Sequence, residues 1–294
     1  MDELLESVVR GLGRGSVYAL LALGFVIIFK ATRVISFAQP AFMLAGAVMV
    51  TYLVGPLGFW GALAAATVLT GLLALGVERT AVRPMVGRPA FVVAIITLGV
   101  DIAVRVIVNA YIGNDVRQVG DPWGLSRVEL AGLIIEKRDV ARIVTAAVLV
   151  AALFAYFRFT RMGLAMRAAS YDQEAAMAQG VSVGGVFAVS WAMAGGLAAV
   201  AGTFVAVGEN VDGLMWTIAL VALPVIILGG LDSPAGAVLG GVIVGVLQEL
   251  VAGYQSHFPW LGGNISVITP YVVMLIVLLV KPYGLFGTRE VERV

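Results

Sequence analysis

Asp101, Arg105 and Asn109 stand at i, i+4 and i+8 in an otherwise apolar stretch, so a helix would carry all three on one face. Counted from residue 90, Asp101 lies about 16 Å along such a helix. An ionised group that deep in hydrocarbon is costly unless it is paired or faces water. Two uses fit. Asp101 and Arg105 can satisfy each other as a structural pair. Alternatively, the three residues form a polar patch on a solute pathway or at a subunit interface. In a carrier that works alone, the same pair would serve as an ion or proton relay.

A second candidate is the polar run 158–182, which holds Arg161, Gly163, Arg167, Asp172, Glu174, Ala175, Ala176 and Gly180. Residues 164–179 can form one or two short amphipathic helices, with Gly163 and Gly180 suited to the turns beside them. A short helix lying along a membrane surface can seat in a groove of a soluble partner. An ordinary surface loop has the same spacing. A third candidate is Ser36-Phe37-Ala38-Gln39-Pro40. Inside a helix, Pro40 would favour a kink and could help shape a pathway. At a helix start, Ser36 would be the N-cap and Pro40 would fall in the first turn.

Other polar residues read more plainly. Glu209, Asn210 and Asp212 form an acidic loop that could dock a partner, although solvation alone accounts for it. Gln248 and Glu249 read the same way. Gly195-Gly196, Gly202, Gly236, Gly240-Gly241 and Gly245 suit close helix packing. His257, beside Pro259-Trp260, suits an interfacial belt rather than a metal site or a catalytic base. No nucleophile–base pair or metal-ligand cluster stands out, so the sequence does not read as an enzyme. No cofactor is expected.

The elements that must hold these residues follow from composition. Of 294 residues, 61% are hydrophobic and 13% charged, far from the balance of a soluble domain. The apolar residues run in blocks of about 20, the length that spans a bilayer as a helix. They do not alternate as barrel strands would. There is no cysteine, which excludes disulfides and thiolate metal sites. A net charge of +1 gives no case for nucleic acid. Acidic Asp2, Glu3 and Glu6 open the first segment, and no cleavable leader is evident.

Spans are expected at 8–29, 34–54, 57–77, 90–112, 140–157, 183–207, 214–230, 235–254 and 266–280, an all-α polytopic bundle of about nine helices (8–10). The second and seventh are the weakest, and either could be broken or re-entrant. The seventh contains Pro224 and runs into Gly229-Gly230-Leu231-Asp232-Ser233-Pro234. One set of loops carries eleven basic residues against six acids: Lys30, Arg33, Arg79, Arg83, Arg88, Arg158, Arg161, Arg167, Lys281, Arg289 and Arg293 against Glu78, Asp172, Glu174, Asp232, Glu290 and Glu292. The other set carries seven basic residues against eleven acids. The positive-inside rule places the first set in the cytoplasm, with the N-terminus outside. Loop 158–182 and the C-terminus then face inward, and the polar stretch 113–139 faces outward.

Five ordered motifs carry a resemblance to a known family. Glu78-Arg79-Thr80-Ala81-Val82-Arg83-Pro84 resembles a Glu-Arg-x-x-x-Arg-Pro loop. Thr160-Arg161-Met162-Gly163, with Arg167-Ala168, resembles Ser-Arg-Met-Gly-x-x-x-Arg-Ala. Glu174-Ala175-Ala176, followed by Gly180-Val181, resembles the coupling loop of bacterial ABC importer permeases. Leu228-Gly229-Gly230 with Ser233-Pro234-Ala235-Gly236-Ala237 and Gly240-Gly241 resembles a Gly-Gly, Pro-Gly-Ala, Gly-Gly segment. Lys281-Pro282-Tyr283-Gly284-Leu285-Phe286-Gly287, then Glu290 to Val294, resembles a C-terminal signature. Nearly the whole chain therefore resembles the LivH-type permease of branched-chain amino-acid ABC importers.

That resemblance implies a type II-like permease fold, with 1–294 as one transmembrane domain and 158–182 as its cytoplasmic coupling loop. It implies a subunit rather than a complete transporter. The expected partners are a second homologous, LivM-type permease, two cytoplasmic ABC ATPases, an extracytoplasmic substrate-binding protein and membrane lipid. The chain lacks a Gly-x-x-x-x-Gly-Lys-Ser/Thr phosphate loop, so ATP would be bound by the partners. The expected setting is a bacterial inner membrane, and the expected mechanism is alternating access for branched-chain amino acids or related small polar solutes. Two departures leave the cargo open to amides, urea, aromatic acids or sugars. The family's Asn-Phe-Ala-His-Gly-Glu is here Ser36-Phe37-Ala38-Gln39-Pro40-Ala41, and Asp101–Arg105 stands where uncharged polar residues are usual.

Overall fold

A computed structural model describes residues 2–85, 87–113, 117–124, 126–130, 133–257 and 264–288. Pro259, Trp260 and the last residues of the C-terminal signature, Arg289 to Val294, lie outside the described residues, as does the side chain of His257. The elements in order are α1 (Asp2–Thr32), α2 (Gln39–Val77), α3 (Ala90–Ile112), strands β1 (Arg127–Leu130) and β2 (Leu133–Glu136), α4 (Lys137–Phe159), α5 (Arg161–Tyr171), α6 (Gln173–Ala178), α7 (Val183–Ala206), α8 (Ala222–Gly229), α9 (Pro234–Tyr254) and α10 (Ile265–Val280). Among the described residues, six helices can cross a membrane by length and composition, and two shorter apolar segments accompany them, Met215–Gly229 and Ile265–Val280. The chain is therefore an all-helical, multi-pass membrane bundle.

The expected spans 34–54 and 57–77 appear as the single helical run α2, interrupted at Gly58 (φ 67, ψ 173) two residues after Pro56. A positive φ with an extended ψ is open to glycine and barred to most residues. The chain reverses there. Thr70 donates its hydroxyl to Met49 Sδ at 3.5 Å, although 21 residues of straight helix would hold them about 30 Å apart. The expected span 214–230 is broken: a 3₁₀ turn over Met215–Val221 feeds the eight residues of α8. Pro224 explains the boundary, because a residue without an N–H is tolerated in a helix's first turn but not its interior. The polar stretch 113–139 holds an element not expected from the sequence, the β1–β2 hairpin, in which Arg127 pairs with Glu136 and Leu130 with Leu133.

Chain contacts define two compact units. The first comprises Met1–Val26, Trp123–Ala147 and Leu220–Val294; the second comprises Ile27–Pro122 and Val148–Ala219. In the first, Gly11-x-x-x-Gly15 on α1 meets Gly241-x-x-x-Gly245 on α9. A Cβ on Gly15 would lie 2.8 Å from the Gly241 carbonyl oxygen, and one on Gly241 would lie 2.6 Å from Ala19 N. Small residues at i, i+4 on both helices let the backbones touch. The same seam is tied by Tyr18 donating to Gln248 Oε1 at 2.8 Å and by Arg14 paired with Glu249 at 2.8 Å. Gln248 and Glu249 are thus internal ties of this unit, not the solvated or docking residues expected near the end of the eighth span.

In the second unit, α7 is apolar on every side and is enclosed, as such a helix must be. Both halves of α2 lie against it. Gly46 faces Ala199, Gly202 faces Met43, and Gly195 faces Thr70 and Ala74. The rings of Phe42 and Trp191 meet edge-on at 6.2 Å, as do those of Phe59 and Phe204. By contrast, α3 exposes Phe91, Ile95, Leu98, Ile102 and Val106, a stripe at helical spacing fit for lipid.

Candidate functional site

The Asp101 cluster is built around the start of α2. That helix has Ala38 at its N-cap, which supplies no side-chain oxygen, and Pro40 supplies no N–H. The orphan donors of a first turn must still be met. Neighbouring side chains meet several donors at and just before this turn. Phe37 N–H donates to Thr97 Oγ1 at 3.0 Å, Ala38 N–H to Ser36 Oγ at 3.3 Å and Ala41 N–H to Asp101 Oδ1 at 3.0 Å. Ser36 therefore belongs to the helix start, as one of the two readings held, but the cap position is Ala38. Thr97 and Asp101 are one turn apart on α3, so a second helix caps the first. A carboxylate there also meets the positive end of the α2 dipole.

Asp101 is 2% exposed. Its Oδ2 accepts from Arg105 Nε at 2.8 Å and from Arg105 Nη2 at 2.6 Å. The guanidinium lies 3.8 Å from the centroid of the Trp216 ring. Asn109, two turns beyond Asp101, is exposed and lies beside Gly213. Arg105 and Asn109 thus meet segment 213–216, while Asp101, on the same helical face by its i, i+4, i+8 spacing, reaches the start of α2. Both Asp101 oxygens are engaged, which suits a structural pair better than a relay. No motif or spacing points to Trp216. Thr97 could have been found as the i−4 neighbour of Asp101.

Gln39, the first residue of α2, is fully buried, and among the described residues neither its Nε2 nor its Oε1 has a hydrogen-bond partner. Leaving a buried polar group unpaired costs about 1–3 kcal/mol. Trp191 Nε1 is likewise buried and unpaired. Phe37 is half-buried.

The run 158–182 folds as two short helices. Thr160 caps α5, its hydroxyl accepting from Gly163 N–H at 2.9 Å. Asp172 ends α5 and caps α6, its Oδ1 accepting from Glu174 N–H at 2.9 Å and Ala175 N–H at 3.0 Å. Gly180 follows α6 with φ +82, a turn position as expected. Gly163 is not at a turn; it lies in the first turn of α5, where a Cβ would meet Phe157 Cα on α4 at 2.6 Å. Arg161, Arg167, Glu174 and Ala175 are exposed, and Ala176 is buried. Leu164, Tyr171 and Met177 add large exposed apolar side chains, and Tyr171 is 91% exposed.

This helix pair is anchored at its base. Arg33, with φ 58, donates to the Ser170 carbonyl at 2.6 Å, and Gln173 Nε2 donates to the Ala31 carbonyl at 2.9 Å. At the far end, buried Glu78 holds Arg83 by two 3.0 Å bonds, and Arg83 Nη2 reaches the Gly184 carbonyl at 2.8 Å. The Glu-Arg-x-x-x-Arg-Pro motif therefore ties the end of α2 to the start of α7. Arg33 and Gln173 carry no motif signature, so spacing alone could not single them out.

In the other unit, the Gly-Gly segment and the C-terminal signature prove to be one assembly. Leu285 N–H donates to the Leu228 carbonyl at 2.8 Å and Phe286 N–H to the Gly229 carbonyl at 3.0 Å. Thr288 bonds Asp232. Gly284 (φ +78) and Gly230 (φ +107) adopt conformations that other residues rarely hold. In the acidic loop, Asn210 Oδ1 accepts from Gln118 at 3.0 Å, and Asp212 accepts from Leu214 N–H at 2.9 Å. Among the described residues, no group of three or more His, Cys, Asp or Glu is placed to hold a metal ion.

A family described as "Branched-chain amino acid transport system / permease component" matches residues 7–280. The high-affinity branched-chain amino acid transport system permease protein LivH of Escherichia coli (strain K12) is 29% identical, over 99% of this chain and 97% of its own. The corresponding permease protein BraD of Pseudomonas aeruginosa is 26% identical, over 99% and 98%. A probable branched-chain amino acid transport permease protein LivH of Methanocaldococcus jannaschii is 25% identical, over 91% and 88%. Among solved structures, PsaBC from Streptococcus pneumoniae in complex with Fab aligns with a TM-score of 0.48 and 13% identity, over 96% of this chain and 91% of that one. With the family pattern running through nearly every span, the chain belongs to the branched-chain amino acid ABC-transport permease family, as a multi-pass, non-catalytic membrane subunit.

Proposed function

We propose that this chain is one permease of an ATP-driven importer that carries branched-chain amino acids or related small polar solutes by alternating access. The observation that carries the reading is the α5–α6 pair. It is a rigid, capped knob with an exposed mixed surface, bonded at its base to the end of α1 and joined through Gly180 to α7. A force on such a knob reaches the helices instead of dissipating in a loop. Arg161, Gly163, Arg167, Asp172, Glu174, Ala175, Ala176 and Gly180 are the coupling residues in this reading. Gly163 lets α5 close onto α4, Asp172 fixes the angle between the two helices, and Arg161, Arg167, Glu174 and Ala175 present the contact surface.

Two ABC ATPases would grip the knob from the cytoplasm, and an extracytoplasmic binding protein would deliver solute from the other side. A second, LivM-type permease would complete the pathway. The positive-inside balance supports a cytoplasmic loop 158–182 and an outward N-terminus, in a bacterial inner membrane. Family membership supports a type II-like importer fold with 1–294 acting as one permease domain. Ser36, Phe37, Gln39, Asp101, Arg105 and Asn109 are placed on or beside the pathway, with Asp101 and Arg105 holding the α2 start in position. An ion-driven carrier is the weaker reading, because both Asp101 oxygens hold structural partners, the Ala41 N–H and the Arg105 guanidinium. Cargo other than branched-chain amino acids stays compatible with the Gln39–Pro40 departure.

The test is co-purification followed by uptake. The tagged chain should bring down two nucleotide-binding subunits, and Glu174→Lys or Gly180→Val should weaken that association or leave ATP hydrolysis running without uptake. Unchanged association and unchanged coupling in folded variants would refute the coupling assignment. Full uptake by the single chain in liposomes would favour the carrier.

A further inference from the structure

We infer that Gln39 and Trp191 form a transient polar subsite for the α-amino carboxylate of the passing solute, closed in the state seen here and exposed when the helices around the α2 start part. This rests on the transport reading above. Other groups already take donors at the start of α2: Ser36, Thr97 and Asp101 accept from the N–H groups of Ala38, Phe37 and Ala41, and Pro40 has none. The Gln39 side chain is nonetheless fully buried, with both amide atoms unpaired, in a helix whose first turn has no structural use for it. Trp191 Nε1 is buried and unpaired as well. Phe42, one turn after Gln39 on α2, packs its ring edge-on against that of Trp191, which brings the start of α2 and the Trp191 side chain into one packed region. A buried polar group with no partner calls for a specific explanation, and a ligand absent from this state is one.

The inventory of groups selects the ligand. Gln39 Nε2 and Trp191 Nε1 donate, and Gln39 Oε1 accepts. Two donors suit a carboxylate and one acceptor suits an ammonium, the two ends of an amino-acid backbone. All three groups are neutral. A pathway must bind strongly enough to admit a solute and weakly enough to release it, and neutral partners meet that condition where a buried ion pair would retain the solute. Gln39 is therefore a specificity-determining residue, and Trp191 supports it.

The test uses the complete importer, co-expressed with its ATPase, second permease and binding-protein subunits, in proteoliposomes with ATP and radiolabelled leucine. Gln39→Met keeps the length of the side chain and removes the unpaired amide. The expected result is a melting temperature equal to or above wild type, with Vmax per folded complex lower by about tenfold and KM unchanged, because delivery rests with the binding protein. ATP consumed per leucine should rise. Trp191→Phe, which keeps a ring and loses the N–H, should lower Vmax by about threefold. Wild-type Vmax in Gln39→Met overturns the inference. So does a lower melting temperature with loss proportional to unfolded protein, which would give the amide a structural partner. ATP-driven uptake of urea or an amide but no amino acid overturns the carboxylate assignment and leaves the importer reading intact. Absence of ATP-driven uptake by wild type refutes the importer reading itself.

Discussion

Asp101 joins the start of α2 to α3: its Oδ1 accepts from the Ala41 N–H and its Oδ2 from Arg105. The spacing with Arg105 and Asn109 announced a shared helical face, and that much was legible. Its partner, the N–H of Ala41, lies 60 residues away and carries no side-chain signature, so no reading of spacing could name it. Two predictions follow from the geometry. Asp101→Ala removes a cap and strands a mostly buried guanidinium, so it should destabilise the chain by about 3–5 kcal/mol. Asp101→Asn keeps an acceptor for Ala41 and should cost less, about 1–2 kcal/mol. Thermal unfolding in detergent measures both. Uptake then separates cap from relay: if Asp101→Asn unfolds like wild type yet carries no solute, the residue titrates during transport and the cap account fails.

Among the elements, the helices with simple jobs were the most legible. Spans 90–112 and 183–207 match α3 and α7 closely, because a long apolar run bounded by a turn leaves little choice. The gap between spans 34–54 and 57–77 and the weakness of 214–230 were legible too, as places where local chemistry overrides periodicity. Gly58 turns a continuous apolar run back on itself, and Pro224 divides the 214–230 stretch into a 3₁₀ turn and a short helix. The β1–β2 hairpin was missed because four-residue strands in a polar stretch barely differ from loop. The α1–α9 seam gives an element-scale prediction. Gly245→Val drives a branched side chain into the Gly15 backbone, and overpacking of this kind costs about 1–3 kcal/mol or more. Melting temperature should fall, whereas Gly76→Val, with open space at that position, should leave it nearly unchanged. Equal effects would mean that helix propensity, not the seam, is being measured. Arg33→Ala probes the base of the coupling pair in the same spirit. It should leave the fold intact and raise ATP turnover per solute carried, since it cuts the tie to Ser170 without touching the exposed surface.

At the scale of the molecule, the open matter is which way the bundle faces, and helix α4 makes it testable. Its 23 residues reach about 34 Å, enough to cross the hydrocarbon core. The β1–β2 hairpin precedes its first residue and the coupling pair follows its last, so the two should lie on opposite sides. In the orientation proposed above, which the basic excess in the loops supports, the coupling pair is cytoplasmic. The natural sequence has no cysteine, so a single introduced thiol reports from one place only. Glu129→Cys on the exposed hairpin should react with an impermeant maleimide in intact spheroplasts. Tyr171→Cys, at the most exposed aromatic of the coupling pair, should react only after the membrane is opened. Labelling of Tyr171→Cys in sealed spheroplasts would invert the topology, and with it the assignment of 158–182 to the ATPases. If the topology holds, bound ATPase supplies the stricter check. A motor subunit seated on Leu164, Tyr171 and Met177 must shield that thiol in the assembled complex, and a loop that only obeys the charge rule would stay reactive.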